Sequence, residues 1–173
     1  MADFKIVLQK TLPHEGFYSN RSADRGGETY AGISRKYWPG WRGWGIIDRA
    51  KPLKQGERVA NKQLDGLIEV FYYENFWRPI RGADVKSQSV CNFMFDWGVN
   101  SGSAATRRVQ RVVGVACDGV VGPVTIQAIN TCDPVDLLTR LKASRTAFVH
   151  AIVRSTPAQA VNLNGWMRRI DSF

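Results

Sequence analysis

The sequence predicts a mainly α protein of the α+β kind, a helical, bundle-like domain with one small β-hairpin near its N-terminus. Two observations carry this. Apolar residues recur at helical spacing through most of the chain, as in Phe4, Val7, Leu8 and Leu12 and again in Leu64, Leu67, Ile68 and Phe71. One stretch breaks the rhythm: the polar, glycine-rich run over 14–29, whose glycines let the backbone double back into a hairpin. At 173 residues and 44% hydrophobic content, the chain is long enough for one globular domain with a single sizeable core, arranged as two closely packed lobes.

A first helix is expected over 3–14, with Gly16 as its stop signal just past Glu15. The loop and hairpin region follows over 15–36, then a tryptophan-rich turn segment. There Trp38, Trp41 and Trp44 lie three apart in a stretch too rich in glycine and proline for a regular helix. Over 62–76 a helical stripe of Leu64, Leu67, Ile68, Phe71 and Asn75 stops before Pro79. The segment 87–99 reads as a buried helix terminated by glycines, and 104–113 as another. Gly122-Pro123 opens a further helix to 130, because proline suits a first helical turn. The longest helix is expected over 134–154, with a short final element over 157–170.

Glu15 draws attention because it sits where the amphipathic first helix gives way to the polar run. A carboxyl there faces the negative end of the helix dipole and, if also shielded by Phe17, Tyr18 or a tryptophan, should hold its proton more tightly than a solvated one. Asp24 follows beyond a stretch able to fold back, so the two carboxyls can face each other across a hairpin, and Thr29 closes the same loop. Two carboxyls in unlike surroundings are what glycosidic-bond hydrolysis needs. One delivers a proton to the leaving oxygen, and the other stays ionised to orient water or steady an oxocarbenium-like transition state. The plainer reading is that Glu15 ends a helix and Asp24 caps a turn.

The run over 15–34 resembles the signature of glycoside hydrolase family 108, N-acetylmuramidases found among phage endolysins and secretion-activator-like proteins. The matching positions are Glu15, Gly16, Phe17-Tyr18, Asn20, Asp24, Gly26-Gly27, Thr29 and Gly32-Ile33-Ser34. Similar stretches recur at Phe95-Asp96-Trp97-Gly98-Val99-Asn100-Ser101-Gly102 and Asn164-Gly165-Trp166-Met167-Arg168-Arg169-Ile170, so the resemblance spans nearly the whole chain. Phe17 departs from it, standing where the family usually has a second glycine, and Ser22 stands where proline is common. The resemblance implies a lysozyme-like fold, with a catalytic lobe over 1–90 and a peptidoglycan-binding helical lobe over 91–173. It also implies a muramidase in which Glu15 is the general acid, Asp24 orients water or stabilises charge, and Thr29 places that water. Tyr18, Asn20, Trp41 and Asn100 are the expected substrate contacts. Other readings stay open: a lytic transglycosylase acting on the same bond, or a non-catalytic wall-binding accessory of secretion.

The tryptophan loop has two readings. Flat rings suit pyranose faces, and loops concentrate binding residues, whereas the same rings can cover the core; Trp44, followed by Ile46-Ile47, is the one expected to be structural. In the second half, the 109–128 segment looks like the peptidoglycan-binding lobe, with Gln110, Thr125 and Ala128 read as packing positions and the Asp118-Gly119 turn and Pro123 as geometry.

Composition narrows the classes. No apolar stretch approaches a membrane span, and the N-terminus mixes Asp3, Lys5, Gln9 and Lys10 into its apolar residues. Neither stable membrane insertion nor a signal peptide is expected, and the chain is expected to be made in the cytoplasm and to act as a monomer on the periplasmic or extracellular wall. Cys91, Cys117 and Cys132 are widely spaced and read as reduced, mostly buried thiols. His14 and His150 are the only histidines, too few for a multi-histidine metal centre, and the chemistry calls for no metal or organic cofactor. The formal charge of +9 divides as 15 basic and 10 acidic residues over 1–86 against nine and five over 87–173, with no basic tail. Such a field draws the protein to polyanions, bacterial wall polymers included, while the one tight cluster, Arg107-Arg108-Arg111, fits a solvated helix face and gives no nucleic-acid-reading pattern.

Overall fold

The computed structural model describes residues 1–20 and 27–173. Among the described residues the chain forms eight α-helices and one two-stranded antiparallel hairpin. They gather into two compact units, Leu8–Glu74 and a second that joins Met1–Val7 to Asn75–Phe173.

Helix α1 (Phe4–Glu15) starts because Asp3 caps it, its Oδ1 accepting from the amides of Lys5 at 2.7 Å and Ile6 at 3.2 Å. It stops at Gly16, which takes φ +70°, the left-handed conformation that favours glycine. Strands β1 (Thr29–Tyr30) and β2 (Ile33–Ser34) pair Thr29 with Ser34 and Tyr30 with Ile33. The turn between them is Ala31-Gly32, both at positive φ (49° and 75°), as a two-residue type I′ hairpin requires. The chain therefore reverses downstream of Gly26-Gly27, where the sequence suggests a reversal. Ser19 adds one bridge to the outer edge of β1, exchanging both backbone hydrogen bonds with Thr29 at 2.9 and 2.7 Å.

The tryptophan segment holds a short helix that the sequence reading takes as turn, α2 (Trp44–Ala50), with Trp44, Ile46 and Ile47 buried. Burial of this apolar face outweighs the poor helix propensity of Gly45 and of the glycines before it. Helix α3 (Lys62–Tyr72) is capped by Asn61, whose Oδ1 accepts from Leu64 N at 3.0 Å. It then widens into a π-helical turn, Tyr73–Trp77. The extra residue of that turn shifts the register, so the next fully covered side chain is Trp77 (3% exposed) and not Asn75, which is half-buried.

In the second unit α4 (Gln88–Ser101) is the core. Every residue from Val90 to Gly98 is buried, as expected of a helix covered on all sides. Phe95 packs with Phe4, Phe76 and Trp77 at ring separations of 6.2–6.4 Å. Around it stand α5 (Ser103–Val113), α6 (Pro123–Thr131), α7 (Pro134–Ser155) and α8 (Ala160–Asp171). Pro123 and Pro134 occupy first-turn positions, and Asp133 caps α7 through Val135 N and Asp136 N. The Asp118-Gly119 turn is closed by buried Gln110, which donates to Asp118 Oδ1 (2.6 Å) and Val120 O (3.0 Å) and accepts from Gly119 N (2.9 Å). Gln110 and Thr125 are thus packing positions, 1% and 3% exposed.

Two stretches that the family resemblance rests on meet here. Asp96 of α4, fully buried, is bound by Arg145 of α7 (Nη1 to Oδ2, 2.7 Å) and by Arg169 of α8 (Nη2 to Oδ1, 2.7 Å; Nε to Oδ1, 3.0 Å). Of the cysteines only Cys91 is buried; Cys132 is half-buried and Cys117 exposed in the loop before the Asp118-Gly119 turn, so the expectation of mostly buried thiols holds for one of three. Burial pushes the Cys91 thiol up to about 12. Among the described residues, no helix is long and apolar enough to cross a membrane.

Candidate active site

Glu15, on the last turn of α1, is held against the hairpin turn. A Cβ placed on Gly32 would lie 2.7 Å from Glu15 Oε2, 2.7 Å from the Tyr72 hydroxyl and 3.1 Å from Glu15 Cβ. The bare α-carbon of Gly32 is therefore what lets the carboxyl and the phenol approach the turn together. Tyr72, buried at the end of α3, donates its hydroxyl to Ala31 O at 2.7 Å and so pins the same turn. Tyr72 is the residue that the sequence reading misses; nothing in the local pattern of α3 singles it out, since at four residues past Ile68 it falls on the same buried stripe as Leu64 and Ile68 and reads as one more core position.

The remaining candidates sit on several different elements. Thr29, half-buried, lies at the head of β1, fixed between Ser19 on one side and Ser34 on the other. Asp24 falls between Ser19 and Thr29 in the chain and lies outside the described residues. Tyr18 is 7% exposed, and its backbone pairs with the 56–57 segment through Tyr18 N to Glu57 O (3.2 Å) and Gly56 N to Tyr18 O (2.7 Å). Asn20 is exposed. Phe17 packs 6.3 Å from the Tyr30 ring, with the Arg58 guanidinium 5.5 Å from its centroid. Tyr30, whose hydroxyl accepts from Val59 N at 2.9 Å, has its own ionisation pushed up by burial.

The tryptophans divide by exposure. Trp44 is 3% exposed, donates its indole N–H to Trp38 O at 2.8 Å, and has the Arg35 guanidinium 4.3 Å from its ring centroid, a structural role. Trp41 is half-buried: its ring stands edge-on to Trp44 at 5.2 Å and occupies the space that a side chain on Gly43 would need. Trp38 is 42% exposed and packs edge-on to Phe71 at 5.0 Å. Phe71 in turn contacts Tyr72 at 5.6 Å, so a continuous run of rings joins the exposed indole to the phenol beside Glu15.

A four-charge network ties the residues flanking the hairpin, Glu28 and Arg35, to Asp48 of α2 and to Lys51 just past it. Glu28 receives Arg35 Nε at 2.6 Å and Lys51 Nζ at 2.7 Å, and Asp48 receives Arg35 Nη2 at 2.6 Å and Lys51 Nζ at 2.9 Å. Arg35 first, and Lys51 with it, hold the Asp48 carboxyl down at about 2. Asn100, the last of the expected contacts, belongs to the second unit, where it lines a cavity with Ser101 and Trp166.

Residues 8–102 match the family model for Glycosyl hydrolase 108, and residues 104–171 match that for a Predicted Peptidoglycan domain. The solved structure of Brucella abortus SagA has the same fold, with a TM-score of 0.69 at 24% identity over 97% of this chain and 89% of that one. No curated protein matches the chain. The mainly α, lysozyme-like organisation with a small hairpin is therefore the fold observed. The two family models meet beside Gly102, between α4 and α5, whereas the compact units divide after Glu74, because α4 packs with α5 and α7 and binds Arg169 of α8.

Proposed function

The chain belongs to the glycosyl hydrolase 108 family, which makes it a glycoside hydrolase directed at peptidoglycan, and from that premise we propose that it is an N-acetylmuramidase. The bond cut is the one joining N-acetylmuramic acid to N-acetylglucosamine. The observation that supports this reading most is the Glu15 carboxyl held at the helix end against the Gly32 turn beside the Tyr72 hydroxyl. A carboxyl confined between a backbone turn and a buried phenol is pre-oriented to deliver a proton along one direction.

In the proposed reaction Glu15 protonates the glycosidic oxygen. The C1–O bond breaks with its electron pair on that oxygen, which leaves as the hydroxyl of N-acetylglucosamine. Water then adds at C1, oriented by Asp24 or drawn to the charge that Asp24 steadies, with Thr29 helping to place it; the water passes one proton to a carboxylate of the site, so that Glu15 ends the cycle protonated again, and its remaining hydroxyl makes the muramic acid a reducing end. Tyr18 and Asn20 are assigned to contacts with the sugar being cut. Trp41, with the more exposed Trp38, offers ring faces for neighbouring sugars.

The test is Glu15→Gln, which keeps the shape and removes the proton. Clearing of outer-membrane-permeabilised cells should fall by about 10²–10⁴-fold while the melting temperature stays unchanged. Near-normal clearing by the variant would refute the assignment. Mass spectrometry of sacculi digested by the unmodified protein should show reducing muramic acid ends; anhydro ends, lighter by one water per cut, would make the enzyme a lytic transglycosylase and leave Asp24 without its role.

A further inference from the structure

The second unit contains a cavity of about 320 Å³ walled by the end of α4, the C-terminal half of α7 and α8. We propose that it seats one N-acetylated sugar residue of the glycan strand, as a binding site distinct in residues from the Glu15 machinery. The inference rests on the reading of peptidoglycan as the substrate.

The lining has the mixed character that a sugar needs. Trp166 of α8 lines the space and is half-buried, which leaves its indole available to the axial hydrogens of a pyranose. Val149 and Ile152, on adjacent turns of α7, give an aliphatic patch suited to the methyl of an acetamido group. Asn100, exposed, and Ser101, half-buried, bring an amide and a hydroxyl from the last turn of α4, able both to donate to and accept from sugar hydroxyls. Apolar walls with a few placed polar groups are the usual build of a small-ligand site, and this volume lies at the low end of the roughly 300–1,000 Å³ typical of them, the scale of one ring.

The walls are also rigid. Arg145, which lines the cavity although only 3% exposed, is fixed by Asp96 at 2.7 Å. The Phe148 wall is clamped between Trp97, at 6.4 Å between ring centroids, and the Arg108 guanidinium, 4.3 Å from its own centroid. A space held open in this way loses little freedom when a ligand enters. The choice of occupant follows from position: the lining residues on α7 and α8 all fall within 104–171, the stretch matching the predicted peptidoglycan domain.

The experiment is a nitrogen-15 NMR titration of the intact chain with the disaccharide N-acetylglucosaminyl-N-acetylmuramic acid carrying its peptide stem. This fragment lacks the bond that the proposed reaction cuts, so it persists during the measurement. Saturable shifts of the Trp166 indole and Asn100 side-chain signals are expected, with binding weakened at least tenfold in Trp166→Ala. If these signals stay unmoved at concentrations where the Glu15 region responds, or at any attainable concentration, the cavity is not a sugar site. Silent cavity signals in a protein that still yields reducing ends would overturn this inference alone. Cavity shifts in a protein that yields no new ends would instead overturn the muramidase reading.

Discussion

The two units handle charge in opposite ways. Around the hairpin, Glu28, Arg35, Asp48 and Lys51 form a network that opens to the surface, with Asp48 48% and Lys51 35% exposed at the side chain while Glu28 is 12%. In the helical unit a single carboxylate, Asp96, is fully enclosed and answered by two arginines. A surface network is screened by water and each of its pairs contributes little, whereas a buried carboxylate cannot lose its partners without leaving charge stranded in a poorly solvating interior. The helical unit thus concentrates its stability at one point, while the hairpin unit spreads it and fixes its candidate catalytic carboxyl by backbone shape.

The largest effect should come from Asp96→Asn. Breaking a buried ion pair costs about 3–5 kcal/mol, and because Arg145 is 3% exposed its guanidinium would remain inside without the carboxylate. For a chain of this size that corresponds to a drop in melting temperature on the order of 10 °C. A thermal melt of the variant within about 2 °C of the unmodified protein would show that the clamp carries no such weight.

Next comes Gly32→Ala, compared with Gly16→Ala. Both glycines have positive φ, 75° and 70°, so either alanine should cost about 1–3 kcal/mol in backbone strain. Only Gly32 has neighbours in the way: its added methyl group would stand 2.7 Å from Glu15 Oε2, whereas a Cβ at Gly16 meets nothing within 4 Å. Similar losses of melting temperature are expected, with wall-clearing at least about tenfold lower for Gly32→Ala, because displacing a catalytic group by an ångström costs up to about 10²-fold. Equal clearing by the two variants would mean that the turn does not position Glu15.

What could be read from the sequence follows the range of the interaction. Gly16 as a helix stop, Gly122-Pro123 as a helix start and the buried run in α4 are local signals, and the structure has each of them. Helix α2 escaped because Trp38-Pro39-Gly40 dominates the local pattern, while the helix begins only at Trp44 and depends on burial of Ile46 and Ile47. The meeting of Tyr72 with Ala31, 41 residues apart, and of Asp96 with Arg169, 73 apart, leaves no trace in spacing. A lone aspartate among Phe93, Phe95 and Trp97 on a buried helix was the available hint, since such a group demands a cationic partner from elsewhere. Of the candidate site, Glu15 and Thr29 sit on one hairpin-centred framework, and Asp24 falls outside the described residues.

The smallest effect, and the one that most sharpens the contrast between the units, is Asp48→Asn. The Asp48 carboxyl is held at about 2 against an ordinary 3.8, chiefly by Arg35 and then by Lys51. A carboxyl whose folded value is lowered stabilises the fold above its unfolded value and loses that contribution as pH falls through its folded one. The benefit should therefore be complete above about pH 5, about half gone at pH 3 and absent below about pH 1. Exposure limits its size to about 1 kcal/mol or less at neutral pH, a shift of a few degrees at most. Urea melts of both proteins at pH 7 and pH 3 measure this directly. Asp48→Asn should be slightly weaker at pH 7 and closer to the unmodified protein at pH 3, and added salt at pH 7 should narrow the gap as well. A deficit that stayed constant across pH and salt would show that Asp48 acts by shape and not by charge, and the hairpin unit would then resemble the helical one in depending on a single fixed contact.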